Sequence, residues 1–163
     1  MVTGGTYLKQ HFFNSRPKLD LLRDALLELS ETYRWNLEAW CVFSNHYHFV
    51  GVPSDGTNLA RFVGHLHSRT ATAVNKLDGE PGRKVWYQYW DTILDDERAL
   101  FTRMAYVLEN PVRHGLVTDA RMYEWCSARR FVAETPLSRQ KTVQSFRVDS
   151  VSVRDDYDPL LPS

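Results

Sequence analysis

The sequence contains little cysteine and no long apolar run. Its two cysteines, Cys41 and Cys126, lie far apart and show no CxxC or other metal-ligand spacing. A chain of 163 residues needs no disulfide for stability, so we expect both to be buried thiols. No apolar run approaches the ~20 residues that a membrane span requires, and the first residues lack the pattern of a signal peptide. We therefore expect a cytoplasmic protein.

The chain also lacks net charge, because 20 Lys and Arg residues offset 20 Asp and Glu residues. It therefore offers no long-range field to steer a polyanion, which weighs mildly against a nucleic-acid partner. A local patch can still bind phosphate, and basic residues are in excess between positions 61 and 84. They are Arg61, Arg69, Lys76, Arg83 and Lys84. The alternative is an ordinary solvated helix face.

The remaining composition is that of a folded protein. Hydrophobic residues make up 43% and aromatic residues 13%, which is well outside the disordered regime. The length fits one domain, since domains commonly have about 100 to 200 residues. Beyond about Thr135 the chain is polar and aperiodic. We predict a single domain over residues 1–134 and a flexible or docked C-terminal tail over 135–163.

Apolar periodicity predicts four strands and three helices. The strand signals lie at 2–7, 37–43, 46–52 and 85–93, and the first has the quality of an edge strand. Helical stripes lie at 17–33 and 59–77, and a third helix begins at Asp95 or Asp96 and should end at Pro111. The order β-α-β-β-α-β, followed by that helix, predicts an α+β fold. We expect a ferredoxin-like or RRM-like sandwich, an antiparallel sheet with helices on one face.

Two histidines two positions apart are the most informative chemical feature. In a strand, His46 and His48 share one face while Tyr47 points the other way, so the two imidazoles can bind one transition metal. Taken alone the pattern is weak, because two histidines on a partly exposed strand also occur by chance. His65 and His67 lie in a predicted helix and should diverge. His11 and His114 are isolated, which is more typical of structural or surface histidines.

The third helix carries a second chemical pair. Tyr106 projects away from the apolar stripe, and Asn110 follows four residues later on the same face. A phenol could there approach a phosphate while the amide oxygen contacts a metal. The alternatives are rim packing for Tyr106 and a helix C-cap before Pro111 for Asn110.

These residues resemble the single-tyrosine HUH transposases, specifically the REP-associated branch. The resemblance spans roughly residues 35 to 130 and rests on four blocks in family order. They are the HUH box at 44–50, an aromatic strand at 86–91, the tyrosine-to-NPVRAGLV signature at 106–117 and an aromatic-serine box at 123–127. The chain departs from the usual pattern at His114 within the signature and at Ser44, where the family usually has proline.

The resemblance implies a chemistry. Tyr106 would be the nucleophile, and it would form a 5′-phosphotyrosine on single-stranded or hairpin DNA. His46, His48 and Asn110 would bind a divalent cation, Mg²⁺ or Mn²⁺. We expect these three ligands to surround one small volume that is open to solvent.

The resemblance also bears on partners. Arg61, Arg69, Lys76 and Arg113 are candidates for phosphate contacts, and a nucleoid-associated cytoplasmic location follows from DNA binding. A monomer and a homodimer both stay open. Two alternatives also remain. One is a domesticated transposase that no longer cleaves. The other is a non-catalytic RRM-like module that binds single strands through Trp86, Tyr87 or Tyr89, although the RNP aromatic signature is missing.

Overall fold

A computed structural model describes residues 1–54, 56, 58–149, 151, 153 and 155–163. The described residues form four strands: β1 (Val2–Thr6), β2 (Trp35–Val42), β3 (His46–Pro53) and β4 (Trp86–Asp91). The helices are α1 (Arg16–Thr32), α2 (Leu59–Asp78), α3 (Glu97–Arg113), α4 (Ala128–Glu134) and α5 (Leu137–Gln144), with 3₁₀ turns at Tyr7–Lys9 and Ala120–Met122. The predicted order of the four strands and the first three helices is confirmed, whereas α4 and α5 were not predicted.

The four strands form one antiparallel sheet in the order β2-β3-β1-β4, the order of a ferredoxin-like sandwich. The prediction that the first strand has edge quality is wrong, because β1 lies between β3 and β4. The glycine pair in β1 suits this interior position. A Cβ at Gly4 would approach the Tyr47 ring to 2.3 Å, so only glycine lets the neighbouring strand keep this tyrosine.

The two faces of the sheet have different coverings. The odd-numbered residues of β3 face α1 and α2: the Tyr47 hydroxyl lies 2.9 Å from His67 Nε2, and Phe49 packs on Phe62 at 5.5 Å between ring centroids. The even-numbered residues face α3, which packs across β2 and β3. The predicted α+β fold with α1 and α2 on one face is confirmed, and the tyrosine helix lies on the other face.

The ends of α2 follow from its sequence. The Asn58 side chain accepts a hydrogen bond from the Arg61 N–H at the N-terminus, and Gly79 ends the helix with a φ of 68°. His65 and His67 diverge as predicted, since His65 contacts Tyr33 and His67 contacts Tyr47.

The prediction that the third helix ends at Pro111 is wrong, because α3 continues to Arg113. A proline inside a helix removes one N–H, here the donor for the carbonyl of Val107. The thiol of Cys126 lies 3.9 Å from that oxygen and supplies a weak donor in its place. Because the helix continues, His114 follows one turn after Asn110, and its N–H donates to the Asn110 carbonyl at 2.9 Å.

Residues 155–163 form a C-terminal segment that contacts β1 and the β2–β3 turn. Tyr157 is buried, the Leu160 N–H donates to Ser44 Oγ at 2.9 Å, and the Ser163 N–H donates to the Asn14 carbonyl at 3.1 Å. The domain boundary at residue 134 stays a prediction. Both cysteines are buried free thiols, as predicted. No helix in the described part of the chain combines the length and apolar character needed to cross a bilayer.

Candidate active site and metal centre

Strand alternation on β3 brings the two histidines of the HxH pattern together. Their ring centroids lie 4.9 Å apart, and both side chains are fully buried on the face that α3 covers. Phe43 stacks on the His46 ring at 4.4 Å and fixes its plane. The imidazoles therefore sit side by side, as the pattern predicts.

Each histidine is oriented through its Nδ1 atom. His46 Nδ1 lies 2.9 Å from Asn45 Oδ1, and the Asn45 amide group donates through Nδ2 to the Lys9 carbonyl. The oxygen of Asn45 can only accept, so His46 Nδ1 carries the proton and the lone pair of Nε2 points into the site. His48 Nδ1 lies 2.8 Å from Thr3 Oγ1. Burial and the neighbouring His48 hold the pKa of His46 well below its usual range, which keeps the ring neutral.

The tyrosine and asparagine of α3 meet at one oxygen atom. The Tyr106 hydroxyl donates to Asp155 Oδ2, and Asn110 Nδ2 donates to the same atom at 3.1 Å. The shared helix face predicted for the pair is therefore present. Burial, reinforced by the Asp155 carboxylate, raises the pKa of Tyr106. The Arg113 guanidinium lies 5.4 Å from the centre of the Tyr106 ring.

Asp155 is a member of this cluster that the sequence did not indicate. Its Oδ1 lies 3.4 Å from His46 Nε2, and its Oδ2 lies 3.6 Å from His48 Nε2. Burial alone would raise the pKa of Asp155, but the contacts with His114 and His48 outweigh it and hold that pKa well below its usual range. A carboxylate from the C-terminal segment thus fills the space between the histidines and the tyrosine.

His114 is the second residue that the sequence reasoning missed, since it was interpreted as isolated. Its side chain is 11% exposed, its Nε2 lies 3.3 Å from Asp155 Oδ1, and its ring lies 5.2 Å from that of His46. A signal existed: His114 follows Asn110 by four residues, the spacing that places two helical side chains on one face. Because the sequence predicted that α3 ends at Pro111, His114 was not assigned to this helix face.

Within the described part of the chain, five buried polar atoms of the site have no hydrogen-bond partner. They are His46 Nε2, His48 Nε2, His114 Nε2, Asn110 Oδ1 and Asp155 Oδ1. The lone pair of His46 Nε2 faces a carboxylate oxygen with no hydrogen atom between them, an arrangement that costs free energy unless a cation lies nearby. Imidazole nitrogens with amide and carboxylate oxygens form a donor set typical of transition metals. The residues present therefore fit a divalent metal.

The expectation that this volume is open to solvent is wrong. His46, His48 and Asn110 are all fully buried. Tyr157 stacks on the His46 ring at 4.9 Å, and the Asp155 carboxylate lies beside the Nε2 atoms of His46 and His48. The C-terminal segment, which periodicity analysis cannot place, covers the site.

The predicted DNA contacts fall on two surfaces. Arg61, Arg69 and Lys76 are exposed on α2, which packs on the sheet face opposite the histidines, and Arg69 bonds to Glu28. Arg113 lies beside Tyr106. The geometry therefore brings only Arg113 to the site, and the phosphate-binding roles of all four stay predictions.

The three aromatic residues of the RRM-like alternative do not form an exposed platform. Trp86 is buried and stacks on His67 at 4.4 Å, and Tyr89 is half-buried. Tyr87 is 55% exposed and faces a groove of about 660 Å³ that borders the site. A sheet that binds bases through several stacked rings would need more than one such residue.

Comparisons with known proteins agree with the family resemblance. No family model matches the chain. The chain is 22% identical over 145 residues to the "Putative REP-associated tyrosine transposase" of Haemophilus influenzae, covering 79% of this chain and 82% of that protein. It is also similar to a solved structure of a REP-associated tyrosine transposase bound to a REP hairpin, with a TM-score of 0.67 and 16% identity over 97% of this chain and 87% of the other. The resemblance to the REP-associated tyrosine transposases is confirmed.

Proposed function

We propose that the chain is a metal-dependent, single-tyrosine DNA transposase that cleaves and rejoins single-stranded, hairpin-associated DNA through a 5′-phosphotyrosine. One observation carries the proposal. The Tyr106 hydroxyl and the Asn110 amide contact one oxygen of the Asp155 carboxylate. The other oxygen of this carboxylate faces His46. A carboxylate is a small anion, and it marks the place where a phosphate group would lie between a nucleophile and a metal.

The divalent cation would be held by His46, His48 and Asn110. Their unpartnered Nε2 and Oδ1 atoms are the donors available at the bottom of the site. When bound, the cation supplies charge stabilisation for the phosphate oxygens and for the departing 3′-oxygen. Nitrogen donors suit Mn²⁺ better than Mg²⁺, which prefers oxygen ligands. Mn²⁺ is therefore our choice for the assays below.

The covalent step uses Tyr106. Its oxygen attacks phosphorus, the bond from phosphorus to the 3′-oxygen breaks, and the phenol proton leaves to solvent while the 3′-oxygen gains one. The raised pKa of Tyr106 reflects burial and the Asp155 carboxylate, so losing Asp155 favours the phenolate that attacks. Reversal by another 3′-hydroxyl restores the phosphodiester, because the phosphotyrosine conserves its energy. Release of the Tyr106 proton therefore depends on the group that takes the place of the Asp155 carboxylate when DNA binds.

The DNA would lie along the groove beside the site. Lys9 and Tyr87 line this groove together with Asp156 and Tyr157 of the C-terminal segment. Lys9 forms an ion pair with Asp156. Release of the C-terminal segment would therefore make the Lys9 ammonium group and the exposed Tyr87 ring available to a single strand. The solved relative binds a REP hairpin, which supports hairpin DNA as the ligand class. Tyr106, Asn110 and the Asp155 carboxylate that they contact belong to one chain, which supports a reaction within a monomer.

The test is a covalent adduct assay with hairpin-bearing single-stranded oligonucleotides and Mn²⁺. Tyr106→Phe removes the attacking oxygen and keeps the ring, so cleavage and adduct should both vanish while DNA affinity stays within about twofold. Tyr33→Phe is the matched control, because Tyr33 lies on the α1 side and contacts His65. It should leave the adduct yield unchanged.

Three outcomes would overturn the proposal. An adduct that maps to another tyrosine would show that the nucleophile is wrong. Cleavage without an adduct would indicate a metal-activated water. Hairpin binding with no adduct, in both the wild type and an Asp155→Ala variant that opens the site, would favour the cleavage-inactive alternative.

A further inference from the structure

We propose that His114 is an additional ligand of the metal, which gives this chain a site with three imidazoles. The inference rests on the proposed function and concerns a residue outside the donor set named above. The REP-associated signature usually has alanine at this position, so the extra imidazole is a property of this chain and not of the family pattern.

The positions of the donor atoms carry the inference. His114 Nε2 and His46 Nε2 lie 3.3 Å and 3.4 Å from the same atom, Asp155 Oδ1. Metal bonds of about 2.1 Å separate neighbouring ligand atoms by roughly 3.0 to 3.4 Å. Two of the three separations therefore already match a coordination shell. A cation that draws the two nitrogens together would complete it.

His114 is also closer to this arrangement than one of the expected ligands. Among the described residues, one potential ligand atom from each of His46, His114 and Asp155 lies within 4.8 Å of the others. His48 lies outside that compact group, and its Nε2 faces the second carboxylate oxygen at 3.6 Å. His114 is therefore as well placed for the metal as the second histidine of the HxH pattern.

The local structure fixes the ring in this position. The His114 N–H continues the α3 hydrogen-bond pattern to Asn110, and Gly115 then turns the chain with a φ of 68°. The edge of the ring packs on Phe43 at 5.2 Å between centroids. Its Nε2 is buried and has no hydrogen-bond partner among the residues that the structure describes. The His114 ring is thus held by its own backbone and by Phe43, and its Nε2 lies close to the donor atoms of His46 and Asp155. A side chain fixed in this way is preorganised to bind a metal ion.

The extra imidazole should change metal selectivity. Nitrogen ligands raise affinity for Mn²⁺ and more strongly for Co²⁺ and Ni²⁺, whereas Mg²⁺ gains little from them. Removing His114 should therefore weaken transition-metal binding and leave Mg²⁺ binding nearly unchanged. A purely structural role for His114 would affect all metals equally, through the fold.

The experiment is isothermal titration of the full chain with Mn²⁺, Co²⁺ and Mg²⁺, without DNA. The visible spectrum of bound Co²⁺ is recorded in parallel. His114→Ala should weaken Mn²⁺ and Co²⁺ by about tenfold or more and change the Co²⁺ spectrum. His65→Ala is the matched control, since His65 is exposed on α2, and it should change neither. His114→Gln, which keeps the size of the side chain, replaces the alanine variant if thermal melting shows that it unfolds.

Equal dissociation constants and spectra for the wild type and His114→Ala would overturn the inference while leaving the proposed function intact. A wild type that binds no metal at millimolar concentration would overturn it too. Weaker Mn²⁺ and Co²⁺ binding in His114→Ala would support the inference even if the adduct assay failed. Failure of the His114 inference would appear in the metal titration, and failure of the proposed function would appear in the adduct assay.

Discussion

In the proposed function the scissile phosphate takes the place of the Asp155 carboxylate, so replacing Asp155 with alanine should activate cleavage. Its Oδ2 accepts hydrogen bonds from Tyr106 and Asn110. Hydrogen bonds to a charged group contribute about 1.5 to 3 kcal/mol each. The lower value for two bonds is about 3 kcal/mol, and about 1.4 kcal/mol corresponds to a factor of ten. We call the site covered when Asp155 is bound to Tyr106 and Asn110, and open when the C-terminal segment has left it. The Asp155→Ala change should therefore lower the population of the covered state relative to the open state by roughly 100-fold.

The assay is single-turnover formation of the covalent adduct, with saturating Mn²⁺ and with hairpin DNA below its dissociation constant. Saturating metal compensates for any metal affinity lost with the carboxylate. Because apparent affinity scales with the open fraction, the Asp155→Ala rate should exceed that of the wild type by about 10- to 100-fold. Asp156→Ala is the matched control. Its pair with Lys9 is exposed, and such pairs contribute only about 0 to 1 kcal/mol.

A fall in rate for Asp155→Ala at saturating Mn²⁺ would refute this reasoning. It would mean that Asp155 acts in the reaction, either by accepting the proton of Tyr106 or as a lasting metal ligand. Asp155→Asn separates these cases from simple occlusion, since the amide keeps the size but loses the negative charge. Occlusion predicts that Asn activates less than Ala.

Two further changes test the support of the site and its cover. Thr3→Val removes the hydroxyl that bonds to His48 Nδ1 at 2.8 Å, so metal affinity should fall by about 10- to 100-fold in the same titration; an unchanged affinity would indicate that His48 does not bind the metal. Gly5→Ala would place a Cβ 1.6 Å from the Tyr157 hydroxyl, so the C-terminal segment should leave the site and become sensitive to protease. Undiminished protection in that variant would contradict the docked position of Tyr157.

Short-range geometry made much of this site predictable from the sequence. The alternation of a strand places His46 and His48 on one face, and the four-residue step of a helix places Tyr106 beside Asn110. Both rules act over at most five consecutive residues and depend little on the rest of the fold. The two pairs meet because α3 packs across the sheet face that carries the histidines. The order of the elements alone does not settle that contact, and only the family resemblance anticipated it.

The features that escaped prediction depend on contacts between distant residues. Asp155 lies 49 residues after Tyr106, in a segment without apolar periodicity, so no local pattern connects the two. Pro111 was expected to end α3, because the local rule does not include the compensating thiol of Cys126. The interior position of β1 likewise depends on which strands pair, and a short glycine-containing strand suggested an edge.

The metal and the C-terminal segment should depend on each other. A metal cation held by the imidazole nitrogens would attract the buried Asp155 carboxylate, so a bound metal should hold Asp155 in place, and Asp155 should in turn tighten the metal. In the proposed reaction the DNA phosphate binds the same metal and the same Tyr106 and Asn110 groups as Asp155, so metal alone should not favour cleavage over the state in which Asp155 covers the site. A tethered carboxylate competes at an effective concentration of about millimolar. A DNA ligand therefore has to gain affinity elsewhere, through contacts such as those of a hairpin, before its scissile phosphate can displace Asp155.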